Sequence, residues 1–372
     1  MRKKKRKRLF CIPLFVSLLS FSLFGAQDLE ALLQSLYAVY APCGGEENLA
    51  GLIEQKVLPK GEWKKDNLGS IYLSLEDGEG YTACLVPMDE VGYIVSGKTT
   101  DGYLRLDRIV PADSYNDTFH PGHPMLILTE TSSVSAVLAL PSLHIFPRSQ
   151  RDSLEGLFSL ENFFLDIGAS EEEDIKKRGV RLLDPVLPVH DWSVLAGKKR
   201  AGYGLGKRAC CAVLVQTACK TVVSTASSDA TFVWMAQTCF YHRSSRPRTS
   251  IGALRSSRIL KNEKILILEA VPVNENADFL SLGGGPILVQ GRQSGALATS
   301  LQEMAKEGNI PLQHLDFFSS SLTPPFEKDS RDVIVLGIPV KFSGTPAEVI
   351  DLGDAEAMAG LLEGFLAKRR QP

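Results

Sequence analysis

Several residue groups in this 372-residue chain have types and spacings that could do chemistry. His120-Pro121-Gly122-His123 has a spacing open to a metal-ligand pair, but the Pro-Gly step between the histidines marks a turn, which is the reading adopted. Cys239 and His242 invite a thiol-nucleophile reading. Three residues along a strand end or loop rarely aim both side chains at one point, so that pair is set aside. Gly283-Gly284-Gly285 is not followed by Lys-Ser or Lys-Thr, which excludes a phosphate loop. Ser245-Arg246-Pro247-Arg248 reads as a small solvated basic loop, and no CxxC zinc pattern is present.

The elements that must position such residues are those of an α/β protein. Behind Asp28 as an N-cap, Leu29, Leu32, Leu33, Leu36, Tyr37 and Tyr40 recur at helical spacing, and Pro42, Gly44 and Gly45 end the run. A second helix carries Leu49, Leu52, Ile53 and Val57 on one face. Strand-like runs follow at 71–75, 84–86 and 93–95. From about residue 93 to 190 the texture becomes short β runs, such as 104–110 and 125–129, broken by Gly, Pro and Ser. Beyond it, apolar runs at 211–215, 231–235, 265–270 and 333–338 suit buried strands of a largely parallel sheet. Met358, Leu361, Leu362, Phe365 and Leu366 share one face of a closing helix, and Lys368, Arg369 and Arg370 complement its C-terminal dipole.

Of the charged residues, 41 are basic and 43 acidic, but Arg2 to Arg8 is an unbroken run of seven basic residues. Without that run the balance is 34 basic against 43 acidic, which argues against nucleic acid as a partner. The basic run, the uncharged stretch Leu9 to Phe24 and the small residues Gly25 and Ala26 read as an export signal cleaved near Ala26. The expected location is outside the cytoplasm, in the periplasm. The alternative is an uncleaved segment anchoring the chain to the inner membrane, although the stretch is shorter than the roughly 20 residues of a bilayer span. The remaining cysteines, Cys43, Cys84, Cys210, Cys211, Cys219 and Cys239, are even in number, which permits disulfides. Most lie in apolar stretches where Cys serves as a small buried hydrophobe.

Several segments, in order, resemble the dinuclear-metal aminopeptidases that include glutamyl, deblocking and tetrahedral aminopeptidases and cellulase-M-like proteins. They are Asp66-Asn67-Leu68-Gly69, Met88-Asp89-Glu90-Val91-Gly92-Tyr93, Asp101-Gly102-Tyr103-Leu104-Arg105 and Asp166-Ile167-Gly168-Ala169-Ser170 with Gly179-Val180 and Asp184-Pro185. Leu282-Gly283-Gly284-Gly285-Pro286, Gly337-Ile338-Pro339 and Pro346-Ala347-Glu348-Val349-Ile350-Asp351-Leu352 complete the set. The resemblance implies a mixed sheet with helices on both faces, formed by residues 27–92 and 191–372, with a small β-rich domain inserted at 93–190. A homo-oligomer is also implied.

The family's chemistry needs two divalent ions, held by two His, a bridging Asp, a Glu and an Asp, with a second Glu as general base. Aligned by motif, the first His falls at Pro87, the bridging Asp at Gly206 and the closing His at Gly344. The base falls at Thr238 and the Glu ligand at Cys239, while Lys207 replaces the Asp that follows the bridge. Glu269 is the one clear surviving ligand position, and Asp89 a retained family position beside the vacated first His. A bridging carboxylate offsets the repulsion between two divalent ions, and glycine cannot supply one. Catalytic groups that act as a unit fail together, at a cost of many orders of magnitude in rate. The expected protein is therefore a non-catalytic relative that binds peptides or serves in an assembly, with no cofactor. The alternative is a metal-dependent aminopeptidase using residual or relocated ligands, with zinc, cobalt or manganese. Asp89, Cys239 and Glu269 would then converge on one ion, with water as its fourth ligand.

Overall fold

In the computed structural model the described residues are 28–57, 62–75, 82–109, 117–140, 147–151, 160–223, 230–242, 248–274, 279–290 and 295–368. The export segment, Arg369, Arg370 and residues 245–247 of the basic loop lie outside them. Helix α1 (Leu29–Tyr37) starts where Asp28 accepts the Glu30 N–H at 3.2 Å, and it buries Leu29, Leu32, Leu33 and Leu36. Helix α2 (Glu47–Lys56) buries Leu49, Ala50 and Ile53.

The main sheet takes strands β1 (Glu62–Lys65), β2 (Ile71–Ser74), β3 (Thr82–Pro87), β12 (Ala230–Met235), β13 (Lys264–Pro272), β14 (Ile287–Val289), β15 (Gln313–Leu315) and β16 (Asp332–Val340). Their order is β1-β2-β12-β3-β13-β16-β14-β15. The central four, β12, β3, β13 and β16, run parallel, while β2 and β14 pair antiparallel on either side. Alternate residues point to opposite faces. Phe232, Trp234, Leu266 and Leu268 enter one core, and Val233, Met235, Ile265 and Ile267 enter the other. Helices cover both faces. α1, α2, α3 (Leu205–Val223), α5 (Ala296–Glu307) and α6 (Leu352–Lys368) contribute to the first core, and α4 (Ile251–Ile259) to the second.

The run 211–215, expected as a strand, is the middle of α3. Helix α3 packs against α1, α6 and the sheet, and residues 209–215 in its middle are all apolar and buried, so this stretch carries no polar stripe to betray a helical period. Between β3 and β12 in the chain, β4 (Tyr93–Lys98), β5 (Leu104–Arg108), β6 (Pro124–Leu128), β7 (Ser133–Ala139), β8 (Phe164–Asp166) and β9 (Pro185–Pro188) close into a barrel in the order β4-β5-β8-β7-β6-β9. Its own core holds Tyr93, Val95, Leu104, Met125, Leu138, Phe163 and Leu165. A small sheet of β10 (Ser193–Val194), β11 (Lys199–Ala201) and β17 (Val349–Asp351) joins the segment after the barrel to the start of α6.

Candidate functional site

Parallel strands ending together leave a crevice at their carboxyl ends, where α/β folds place ligands. Here the chain beyond the ends of β3 and β12, the later part of β13, the first turn of α3 and the loop after β16 meet at that end of the sheet. Beyond β3 the backbone stays tied to β12 through the Met88 N–H to Met235 carbonyl bond at 2.8 Å, which delivers Asp89. Beyond β12 the chain turns at Gln237, whose φ of 54° is left-handed. Its N–H donates to Glu46 Oε1 at 2.8 Å and its side chain donates to the Leu68 carbonyl at 3.0 Å. The Asp66-Asn67-Leu68-Gly69 motif is thus a turn buttress: Asp66 collects the Leu68 and Ser70 N–H groups and the Tyr72 hydroxyl.

The turn at Gln237 brings Thr238 and Cys239 onto Asp89. The Asp89 carboxylate is fully buried and accepts from the Thr238 hydroxyl and, at 2.6 Å, from the Cys239 N–H. Lys207 reaches in from α3, donating to the Asp89 carbonyl at 3.2 Å and to Cys239 Sγ at 3.4 Å. Burial alone would raise the Asp89 pKa, but the Lys207 ammonium and the bonds from Thr238, Cys43 and Cys239 bring it below its ordinary value. Burial opposes charge on Lys207 too, yet Cys239 and Asp89 hold its pKa well above the usual lysine value. The arrangement is a buried carboxylate compensated by a lysine.

Asp89 and Cys239 therefore converge, but with Cys43 and not with Glu269. One donor atom from each of Cys43, Asp89 and Cys239 lies within 4.8 Å of the others, and all three residues are buried. Glu269, within β13 and three residues before its end, accepts from Ser320 Oγ at 2.7 Å. Burial pushes its pKa up to about 7, against the lowering effects of Ser320 and Lys207.

The two glycines that the motif resemblance assigns to ligand positions differ from each other. A Cβ built on Gly206 would stand 2.5 Å from Val340 Cγ2 and 2.9 Å from Ala270 Cβ, so packing has closed over this position. Gly344 has φ 77° and open space around it. The Glu348 carboxylate joins them, accepting from the Gly206 N–H at 3.2 Å and the Gly344 N–H at 2.9 Å. Pro87 is buried at the end of β3.

His120 and His123 flank a turn, as their spacing implies: the His123 N–H bonds the His120 carbonyl at 3.1 Å, and Gly122 has φ 86°. The His120 ring is buried, lies 3.0 Å from the Tyr93 hydroxyl and hydrogen-bonds the Gly344 backbone. Burial lowers its pKa to about 4. All six cysteines from Cys43 to Cys239 are free thiols.

Sequence reasoning missed a buried polar cluster next to the site. Glu90 accepts from the Ala41 N–H at 2.8 Å and pairs with Arg208 at 2.8 Å and His190 at 3.0 Å. The His190 ring stacks between Tyr37 and Tyr40, with centroids 4.6 and 4.0 Å away. The cluster ties the barrel exit to α1 and α3. Burial alone would raise the Glu90 pKa, but Arg208 and His190 bring it down to about 2.

A model of the M42 glutamyl aminopeptidases matches residues 69–361. The chain belongs to this M42 family. FrvX of Escherichia coli (strain K12) is 25% identical over 355 residues, spanning 90% of this chain and 94% of FrvX. Among solved structures, the TET aminopeptidase of the marine sediment archaeon Thaumarchaeota archaeon SCGC AB-539-E09 has the same fold at TM-score 0.79 and 21% identity, covering 91% of this chain and 97% of that one. The Pyrococcus horikoshii TET1 peptidase, which can assemble into a tetrahedron or a large octahedral shell, gives TM-score 0.77 at 20% identity, covering 91% of this chain and 99% of that one.

The M42 family implies a dinuclear metal centre, and the residues that the motif resemblance assigns to its ligand positions do not fit one. Pro87, Gly206 and Gly344 offer no donor atom in their side chains. A Cβ at Gly206 would already crowd Val340 and Ala270, and the Lys207 ammonium, bonded to the Asp89 carbonyl and Cys239 Sγ, adds a positive charge beside them.

Proposed function

We propose that this chain is an exported M42-family protein that keeps the aminopeptidase cleft for binding peptides and does not perform dinuclear hydrolysis. The observation that carries this reading is the Lys207 ammonium, bonded to Asp89 and Cys239 beside a closed Gly206 position. Where the family neutralises buried carboxylates with metal ions, one lysine supplies the compensation. Thr238, at the base position, spends its hydroxyl on Asp89 and cannot take a proton from water. Family membership supports peptides as the ligand class. A self-assembled state is supported by the shells of the P. horikoshii TET1 peptidase. Export rests on residues 1–26; among the described residues no helix is long and apolar enough to cross a membrane.

A second reading, metal-dependent peptide hydrolysis, is favoured by the family match itself. Calorimetric titration of the purified protein with a short-peptide library, alongside product analysis of the same mixtures, separates the readings. Saturable binding with peptides recovered intact supports the first. Cleavage from the amino end that a chelator stops supports the second.

A further inference from the structure

Two thiols and a carboxylate from three separate segments meet in one buried spot: Cys43 from the α1–α2 loop, Asp89 after β3 and Cys239 after β12. We propose that they form a site for a single thiophilic divalent ion, of which zinc is the commonest. The site stands whichever functional reading holds, because it contains neither a second metal nor a base.

Zinc binds thiolate at about 2.3 Å and carboxylate oxygen at about 2.0–2.2 Å, so tetrahedral donors lie roughly 3.5–3.8 Å apart. The three donor atoms, already within 4.8 Å of one another, need to close by about 1 Å. The thiol pair packs against Val91, Ile109 and Phe240, a partly buried apolar wall that favours a neutral assembly. Charge then decides the role of Lys207. Two thiolates and a carboxylate carry three negative charges, zinc carries two positive and Lys207 one, so the loaded site is neutral. Its 3.4 Å contact to Cys239 Sγ becomes an outer bond to a metal-bound sulfur, of the kind that orients a ligand. Each thiol gives its proton to solvent as the ion binds, and the fourth position is left for water or another donor. Mixed sulfur and oxygen donors select zinc or cobalt over magnesium and calcium.

The test is titration of the full-length reduced protein, stripped of metal, with cobalt as a spectroscopic stand-in for zinc. One equivalent should develop a thiolate-to-cobalt charge-transfer band, and one equivalent of zinc should abolish it. Cys43→Ser and Cys239→Ser should each lose the band, while Cys84→Ser, a buried thiol outside the trio, should keep it. Lys207→Gln should retain one-to-one stoichiometry and weaken zinc about 10–100-fold, the effect of losing an outer partner. Circular dichroism of each variant confirms that it is folded. Absence of the band in folded, reduced protein would overturn the site, as would a band that survives both Cys43→Ser and Cys239→Ser.

Discussion

Substituting Gly206 with alanine asks whether the bridging-ligand position has been packed shut. The new Cβ would stand 2.5 Å from Val340 Cγ2 and 2.9 Å from Ala270 Cβ, closer than methyl groups approach without displacement. Overpacking of this kind costs about 1–3 kcal/mol. Alanine gains up to about 1 kcal/mol over glycine in a helix interior, and less at the second residue of α3. The net effect is a loss of about 1–2 kcal/mol, or roughly 2–8 °C in thermal midpoint for a unit of this size. Thermal unfolding followed by circular dichroism reads it directly. Val340→Ala in the same chain should relieve the clash, so the double variant should be less destabilised than the sum of the singles by about 0.5–3 kcal/mol. An unchanged or raised midpoint in Gly206→Ala would refute the reasoning. The consequence reaches function: Pro87→His, Gly206→Asp, Thr238→Glu, Cys239→Glu and Gly344→His together should still fail to rebuild the centre unless Val340 is also reduced.

Three further perturbations test the electrostatics around the cleft. Arg208→Met should destabilise by about 3–5 kcal/mol in thermal or urea unfolding, because Glu90 is left as a buried charge with only His190 beside it. Glu90 itself has its folded pKa near 2 against the ordinary 4.5, so its contribution is complete above about pH 4.5 and is lost as pH falls toward 2. An unfolding series across that window should flatten in Glu90→Gln. Glu269 has the opposite sign: with a folded pKa near 7, the native state holds a proton that the unfolded chain releases near 4.5. Stability should therefore fall as pH rises from about 4.5 to 7, by an amount on the order of 3 kcal/mol, and Glu269→Gln should remove that fall.

Much of the scaffold was legible because its signals are local. Asp28 before a leucine-rich stripe and the apolar runs of β12, β13 and β16 each carry their own physical cause. The run 211–215 misled because a stretch of helix buried on every side has no hydrophobic period, and length and apolarity alone then favour a strand. At the site, the lack of donors at Pro87, Gly206 and Gly344 was legible only once the motif resemblance had assigned ligand positions to them. What replaced them was not legible. Cys43 joins Asp89 and Cys239 only through the fold, its single sequence signal being a cysteine before a Gly-Gly turn. The closure of Val340 and Ala270 over Gly206, and the Glu90 cluster with His190 and Arg208, likewise depend on contacts between segments far apart in the chain.

The central claim, that Lys207 and its neighbours have taken the place of the dinuclear centre, is tested most directly by steady-state hydrolysis of amino-acyl anilides and short peptides. The protein should be assayed with zinc, cobalt or manganese added in turn, against metal without protein. No turnover above that control is expected with any of the three. Clear metal-dependent turnover by the unmodified chain, abolished by Glu269→Ala, would contradict it and show that the donors left in the cleft suffice for catalysis.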